Sequence, residues 1–524
     1  MKRLRLILLT GLLNLVIIAA LIAMLAPAVL RDTAVREMQR MGFAEAAVGG
    51  ATVGLDGLRV HDVRVDEDGG IRAAEVLLPW SRELLSGTVT RATIVGLRLR
   101  IDPARANDRP LRWQTPPGAT LVLRDAAVEI AGPGGPVVVA LDGTGTPMPD
   151  GSGLRIVAAG RVAHQAALPL FAPMAVAATI DLDAGGLRLD ARLADGGVAL
   201  TATGQFAPAS GVGALRITGP AIRIGAERRL DALAPAIAHE LAAIAPGLAG
   251  AFTVDGRLDW DRGGSRTSGR VRIDDATLAH PAGTLSGIAG TLAFASLDPP
   301  RFDGTQRLRA RRIEAGITLA DAEIDLRQGA GGAIQVARAA GNALGGRIET
   351  SAISPSPARQ RITLRLTGID LPALFALGGS EGLSGIGEIS GQIVVSAAAG
   401  EIAVEQGTLS ANAPGRIAYA PRQGLGLADE AAMLMQVLSD FHYDRLTITM
   451  ERAPAATPSA AGAPAMQARM RLEGRNPGFQ EGRPINLNVN LSGELEGAAR
   501  AALGLYRLPA ELLRGATPLE PARR

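Results

Sequence analysis

The 524-residue chain contains no cysteine. That excludes disulfides, thiolate metal sites and cysteine nucleophiles, and it leaves the compartment open. Aromatic residues make up only 3% of a composition that is 47% hydrophobic, so any core must be built from Leu, Val, Ile and Ala rather than from large rings. Lysine is confined to Lys2, and the arginines that supply the remaining basic charge alternate with Asp and Glu instead of clustering. With a formal net charge of +3, the chain has no nucleic-acid footprint. The five histidines, His61, His164, His239, His280 and His442, are dispersed, and none falls in a metal-binding spacing, so no metal or other cofactor is expected.

What the sequence has in abundance is alternation. In Arg361-Ile362-Thr363-Leu364-Arg365-Leu366-Thr367-Gly368 the apolar residues fall on one face and the polar ones on the other, as in a half-buried strand ending at a glycine turn. The same period recurs at Leu97 to Asp102, Leu187 to Leu193, Met466 to Leu472 and Ile485 to Leu491. Further strands are expected at Gly57 to Asp66, Thr88 to Asp102, Thr120 to Ile130, Val137 to Leu141, Leu154 to Val162, Ala177 to Asp183, Gly186 to Leu193 and Gly197 to Gln205. One strand about every 12 residues implies roughly 30 to 40 strands and a body about 140 to 190 Å long. No composition shift divides the chain, which favours one extended repeating body.

Three short helices punctuate the strands: Asp231 to Ala245, a segment opening at Asp370-Leu371-Pro372, and Ala428 to Ser439. A fourth is expected from Glu496 to Tyr506, and the Pro, Ala and Ser tract from Ala453 to Ala465 reads as a long hairpin loop. At the N-terminus, Leu6 to Leu30 is uncharged and apolar, follows Lys2, Arg3 and Arg5, and exceeds the roughly 20 residues that cross a bilayer. It reads as a membrane anchor carrying Leu6, Leu12, Val16, Ile18, Leu21, Leu25 and Leu30, with the amino terminus in the cytoplasm. Ala26-Pro27-Ala28 offers the competing reading of a cleaved signal peptide, but the run is longer than a signal core. A juxtamembrane helix leads from Arg31 to Gly49-Gly50, where the strands begin.

Motifs for chemistry are weak. Gly378-Gly379-Ser380-Glu381-Gly382 matches the serine elbow of hydrolases, but that turn needs a strand before it and a helix after it, the reverse of this context. Asp66-Glu67-Asp68-Gly69-Gly70, Asp181 to Gly186 and Asp259 to Gly264 resemble the start of a calcium loop without its later bidentate glutamate, and they read as hairpin turns. Gly385-Ile386-Gly387-Glu388-Ile389-Ser390-Gly391 lacks dinucleotide-loop spacing. No catalytic residue is assigned and no enzyme is expected. The apolar strand face has two possible fates, a core covered by the chain itself or a groove left open to an apolar guest.

A set of segments in the second half carries a resemblance. It comprises Gln306 with Leu308, Gly345-Gly346 after Leu344, Leu366 to Leu371, Gly382 to Gly387 with Ser390-Gly391, Pro414 to Tyr419, Leu438 to Leu446, and Asn476 to Pro484. Through these, the sequence from about Gly269 onward resembles the YdbH-like family, a branch of the AsmA-like envelope proteins that includes TamB. The resemblance implies a mainly β protein: an elongated, curled, repetitive antiparallel sheet forming a hydrophobic groove, with an N-terminal transmembrane helix and a few short capping helices. It divides the chain into an anchor (1–30), a juxtamembrane helix (31–48), and N- and C-terminal parts of the groove (49–268 and 269–524).

The implied function is an inner-membrane-anchored periplasmic bridge of a Gram-negative bacterium that moves phospholipids towards the outer membrane, with a small outer-membrane lipoprotein at its C-terminal end. Groove candidates are Leu187, Leu189, Leu193, Ile362, Leu364, Leu366, Met470, Leu472, Ile485, Leu487, Val489 and Leu491. The runner-up function is a non-enzymatic assembly factor for outer-membrane proteins acting by β-augmentation; a third, a dicarboxylate-transport accessory, is implied by the family resemblance alone, and the oily face argues against it.

Overall fold

The computed structural model describes residues 29–491 except 30, 37, 40–44, 66–70, 87, 102–118, 132–133, 184, 208–209, 243–245, 262, 281–282, 298, 316, 330–331, 354–359, 379–381, 399–400, 421–428 and 453–465. The expected anchor residues Leu6, Leu12, Val16, Ile18, Leu21, Leu25 and Leu30, the serine-elbow segment, the turn at 66–70, the Pro-rich loop and the helix at Glu496 lie outside the described residues. Among the described residues no helix is long and apolar enough to cross a membrane.

Alternation does what it predicts: the described chain forms one 29-stranded sheet. The first part runs β1 (Ala46–Val53), β2 (Gly57–Val65), β3 (Ile71–Pro79), β4 (Arg91–Val95), β5 (Arg98–Ile101), β6 (Thr120–Ile130), β7 (Val137–Pro147), β8 (Gly153–His164), β9 (Met174–Asp183), β10 (Gly186–Asp195), β11 (Val198–Ala207), β12 (Val212–Thr218) and β13 (Ile222–Ile224). Then come β14 (Gly247–Asp261), β15 (Gly264–His280), β16 (Gly283–Leu297), β17 (Pro300–Phe302), β18 (Gln306–Ala315), β19 (Ile317–Gln328), β20 (Ile334–Ala343) and β21 (Gly346–Thr350). The last part comprises β22 (Gln360–Asp370), β23 (Leu383–Ile386), β24 (Glu388–Ala398), β25 (Glu401–Ala411), β26 (Gly415–Tyr419), β27 (Phe441–Arg452), β28 (Met466–Arg475) and β29 (Ile485–Leu491). Among the described residues five short α-helices interrupt them, α1 (Arg82–Leu85), α2 (Leu230–Leu233), α3 (Pro235–Leu241), α4 (Leu371–Gly378) and α5 (Asp429–Leu438), with a 3-10 turn at Gln480–Gly482 before β29.

Sequence neighbours are mostly antiparallel sheet neighbours, as glycine-rich turns dictate, but three expectations need correction. Thr88 to Asp102 is not one strand: Gly96, with φ of 65°, breaks it into β4 and β5. Both pair parallel to β6, so the sheet is not purely antiparallel. Gly49-Gly50 does not end the juxtamembrane segment; residues 31–36 are helical, but β1 starts at Ala46 and runs through both glycines.

A device absent from the expectations recurs in the strands. Asp62, Asp125, Asp275 and Asp321 take φ values near 50° (51, 49, 51 and 49°) inside β2, β6, β15 and β19. Register shifts accompany Asp125, Asp275 and Asp321, and another accompanies Gly368 in β22. A left-handed residue costs least for Gly and for Asp or Asn, and the extra residue it leaves unpaired bends the strand.

The apolar face is packed unequally along the sheet. From β15 to β28 a single cluster fills it with Leu, Ile, Val and Met, capped by Leu371 and Phe375 of α4 and Val437 and Leu438 of α5. Over β6 to β12 only two small clusters form, one around Leu123, Leu154 and Ile156 and one around Val176, Ala178 and Ala191.

Candidate functional site

Cross-strand register turns this inequality into a geometry. In the centre of the apolar face, Leu123, Gly143, Ala158, Ala178, Ala191, Ala202, Ile217, Gly256 and Gly269 stand opposite one another in succession from β6 to β15. Seven of these nine are Ala or Gly. One row along, Leu121, Ile156, Ile180, Leu189, Leu215 and Leu258 form a wall, interrupted only by Gly145 and Gly204. On the other side Leu141, Val176, Leu193 and Leu200 form a second wall, with Gly160 between the first two. Residues two apart on a strand lie about 7 Å apart, and strands repeat every 4.8 Å or so, so the small-residue floor runs for about 40 Å and is flanked by tall apolar walls on both sides for about 20 Å of it, from β7 to β11.

Gly256 marks free space at the β14 end of the floor; elsewhere a methyl group on Gly143 would lie 2.9 Å from the Val157 carbonyl oxygen, and Ala158, Ala178, Ala191 and Ala202 are 3, 7, 5 and 6% exposed. A methyl group on Gly256 would meet no heavy atom within 4 Å, although its strand is hydrogen-bonded on both sides. Further along, the same face is closed. The row Ile348, Leu366, Gly391, Leu409, Ile448 and Met470 is built mainly from large side chains. A methyl group on its Gly391 would lie 2.0 Å from the Thr408 carbonyl oxygen. Large side chains therefore fill the face from β15 onward, while small ones hold its centre over β7 to β11.

The groove candidates divide along this line. Leu187, Leu189 and Leu193 are partly buried on the apolar face of β10, and Leu189 and Leu193 stand in the two walls. Ile362, Leu364 and Leu366 of β22 and Met470 and Leu472 of β28 are buried among neighbouring side chains, from 6% exposed at Leu366 to none at Leu472. An acyl chain reaches them only by displacing packed groups. Ile485, Leu487 and Val489 of β29 are partly buried against that cluster, and Leu491 pairs with Ala468. The floor residues were missed because Ala and Gly carry little periodic signal; their meaning comes from standing opposite one another.

The opposite face is charged and laced by ion pairs. Arg155 meets Asp181 with two hydrogen bonds of 2.7 and 2.8 Å, and Arg216 grips Asp255 in the same way at 3.0 and 2.7 Å. Hydrogen bonding from these arginines holds the Asp181 and Asp255 carboxyls below their ordinary pKa. A shallow hollow of about 1000 Å³ lies on this face over Val157, Ala159 and Ala177, ringed by Asp125, Asp142, Asp190 and Arg192. Its charges would be desolvated by an acyl chain, so this hollow does not suit an apolar guest.

The acidic turns act as turns. Asp183 accepts hydrogen bonds from the Gly185 and Gly186 amides, and Asp261 accepts one from Gly263. Among the described residues no group of three or more His, Cys, Asp or Glu could hold a metal. The buried histidine, His164, accepts the Leu170 amide at Nδ1, while His442 meets Asp440 on the surface.

The residues that carry the family resemblance are staples of the closed half. Gln306 donates to the Asp303 and Gly304 carbonyls and accepts from the Ala293 amide. Asn476 donates to the Gln436 and Val437 carbonyls at the end of α5. The Tyr443 hydroxyl donates to the Ile386 carbonyl, in a space left by Gly387 and Gly415.

Compared with known proteins, residues 225–497 match a family model described as YdbH-like, intermembrane phospholipid transport protein YdbH. The match takes in just over half of the chain. No curated protein and no solved structure matches.

Proposed function

Because the chain belongs to the YdbH-like family, we propose that it carries phospholipids between membranes with their acyl chains lying in the trough of β6 to β15. In this reading Leu6 to Leu30 anchors it in the inner membrane of a Gram-negative cell, the sheet stands in the periplasm, and an outer-membrane lipoprotein receives its C-terminal end. The observation that carries the reading is the row of small residues beside Leu and Ile walls, with free space over Gly256. Head groups stay at the wet mouth, so the step is transfer without covalent chemistry.

Each methylene moved from water into the trough gains about 0.8 kcal/mol. That gain is the same whichever end a lipid enters from, so net direction comes from a partner or from lipid flux. The packed cluster beyond β16 makes a second demand: passage along the whole sheet requires β22 and β28 side chains such as Leu366 and Met470 to move aside. The test is to purify the full chain in mild detergent and analyse co-extracted lipids by mass spectrometry. Phospholipid at a fixed ratio to protein is expected; its absence would refute the proposal.

A further inference from the structure

The β1 end of the sheet carries an apolar tip that the trough does not use. The turn between β1 and β2 leaves Leu55 wholly exposed, at 104% of its reference area. Beside it β3 ends at Pro79, opposite Gly57, and the next residue, Trp80, is 45% exposed. Five residues on, Leu85 of α1 is 77% exposed, and Val53 before the turn is also exposed.

This tip is held by an ordered frame. The Trp80 indole N–H donates to the Gly54 carbonyl at 2.9 Å, and the Trp80 amide donates to the Asp56 carbonyl at 3.3 Å. The Gly54 amide closes the turn on the Gly57 carbonyl at 2.8 Å, and Ser81 caps α1 by accepting the Leu84 amide at 3.0 Å. The charged neighbours are of both signs: Arg59 paired with Asp56, and both Arg82 and Glu83 on α1. Well-fixed large apolar side chains facing water mark a contact surface.

We propose that Leu55, Trp80 and Leu85 seat in the interfacial layer of a lipid bilayer, the same bilayer that residues 6–30 cross; this rests on reading that run as the anchor. Leu30 lies 16 positions before Ala46, the first residue of β1. At no more than about 3.6 Å per residue, β1 is confined within about 58 Å of the end of the anchor. Among the described residues β1 pairs only with β2, so it is the sheet edge at that end, and successive strands stack away from it. Tethering keeps the bilayer at high effective concentration, which favours it over a second copy of the chain. Tryptophan, with an apolar body and a satisfied indole N–H, suits the head-group level, and leucines suit the acyl boundary below it. Seated this way, the tip would hold the first strands against the leaflet from which lipid is drawn.

The experiment uses the full chain in nanodiscs of phosphatidylethanolamine and phosphatidylglycerol, with or without bromine on the acyl chains. Trp113→Phe and Trp260→Phe leave Trp80 as the fluorophore, since the chain has three tryptophans. Quenching of Trp80 in brominated discs is expected, and loss of that quenching in Leu55→Asp with Leu85→Asp, while the chain stays in the disc and its far-ultraviolet spectrum is unchanged. Equal emission in both kinds of disc, with the chain retained, overturns the tip proposal alone. Equal blue-shifted emission with cross-links between copies assigns the tip to self-association and overturns it as well. Failure of the chain to enter discs removes the anchor reading and this proposal together.

Discussion

Replacing Gly256 with leucine should fill the trough while leaving the fold intact. The backbone there needs no left-handed conformation, and a methyl group meets nothing within 4 Å, so the side chain enters empty space between Ile217 and Gly269 on the neighbouring strands. Removing glycine from a strand interior is worth roughly 0.5–1 kcal/mol, and the new apolar area adds to that, so the melting temperature should hold or rise. The same leucine denies an acyl chain contact for about three methylenes, roughly 2–3 kcal/mol at 0.8 each. At 1.4 kcal/mol per factor of ten, occupancy should fall by on the order of a hundredfold. Lipid recovery by mass spectrometry, read alongside thermal unfolding of the same preparation, checks both halves of the reasoning. The control is Val157→Asp on the charged face, where Val157 is 60% exposed and recovery should not change. Undiminished lipid in a folded Gly256→Leu protein would remove the trough from the transport path. Unfolding of that variant would show that the floor is not open.

Asp275 holds φ of 51° at a register shift, so Asp275→Val should destabilise by about 1–2 kcal/mol while Asp275→Gly leaves the denaturation midpoint near that of the parent; equal loss in both would deny the bulge its role. Tyr443→Phe removes a hydroxyl buried between Gly387 and Gly415 that donates to the Ile386 carbonyl. A loss of about 1 kcal/mol is expected in urea unfolding. Burial raises the pKa of the Tyr443 hydroxyl, so this tyrosine should ionise above the ordinary tyrosine range, as followed by absorbance at high pH in Tyr443→Phe against the parent. Asp181, Asp183 and Asp255 are held below the ordinary carboxylate range by Arg155, Arg188 and Arg216. Their contribution to stability is present above the unfolded carboxylate pKa of about 4 and is lost as pH falls through the lower folded values. Asp181→Asn with Asp255→Asn should therefore flatten the acid side of a melting-temperature profile, and an unchanged slope would assign acid unfolding to other groups.

Strand after strand was legible because side-chain direction in a strand is local: Ile362, Leu364 and Leu366 announce a buried face without reference to anything else in the chain. Of the short helices α5 was legible for a similar reason, falling at Asp429–Leu438 within one residue of its expected bounds, but the helix expected over Asp231 to Ala245 is broken at Ala234 into α2 and α3, and α1 was not foreseen. Bends were less visible, since an aspartate such as Asp125 or Asp321 reads as one more polar residue on the wet face until its register shift is seen. The parallel placement of β4 and β5 beside β6 depends on how the chain returns over residues 102–118, which alternation does not encode. Least visible was how tightly each stretch of the oily face is packed. Gly256 and Gly391 are both single glycines inside alternating strands, yet one looks onto free space and the other has the Thr408 carbonyl oxygen 2.0 Å from where its methyl would be. Local chemistry sets which way a side chain points; what stands across from it comes from strands distant in the chain, so the room left for a guest is settled when those strands pair and pack.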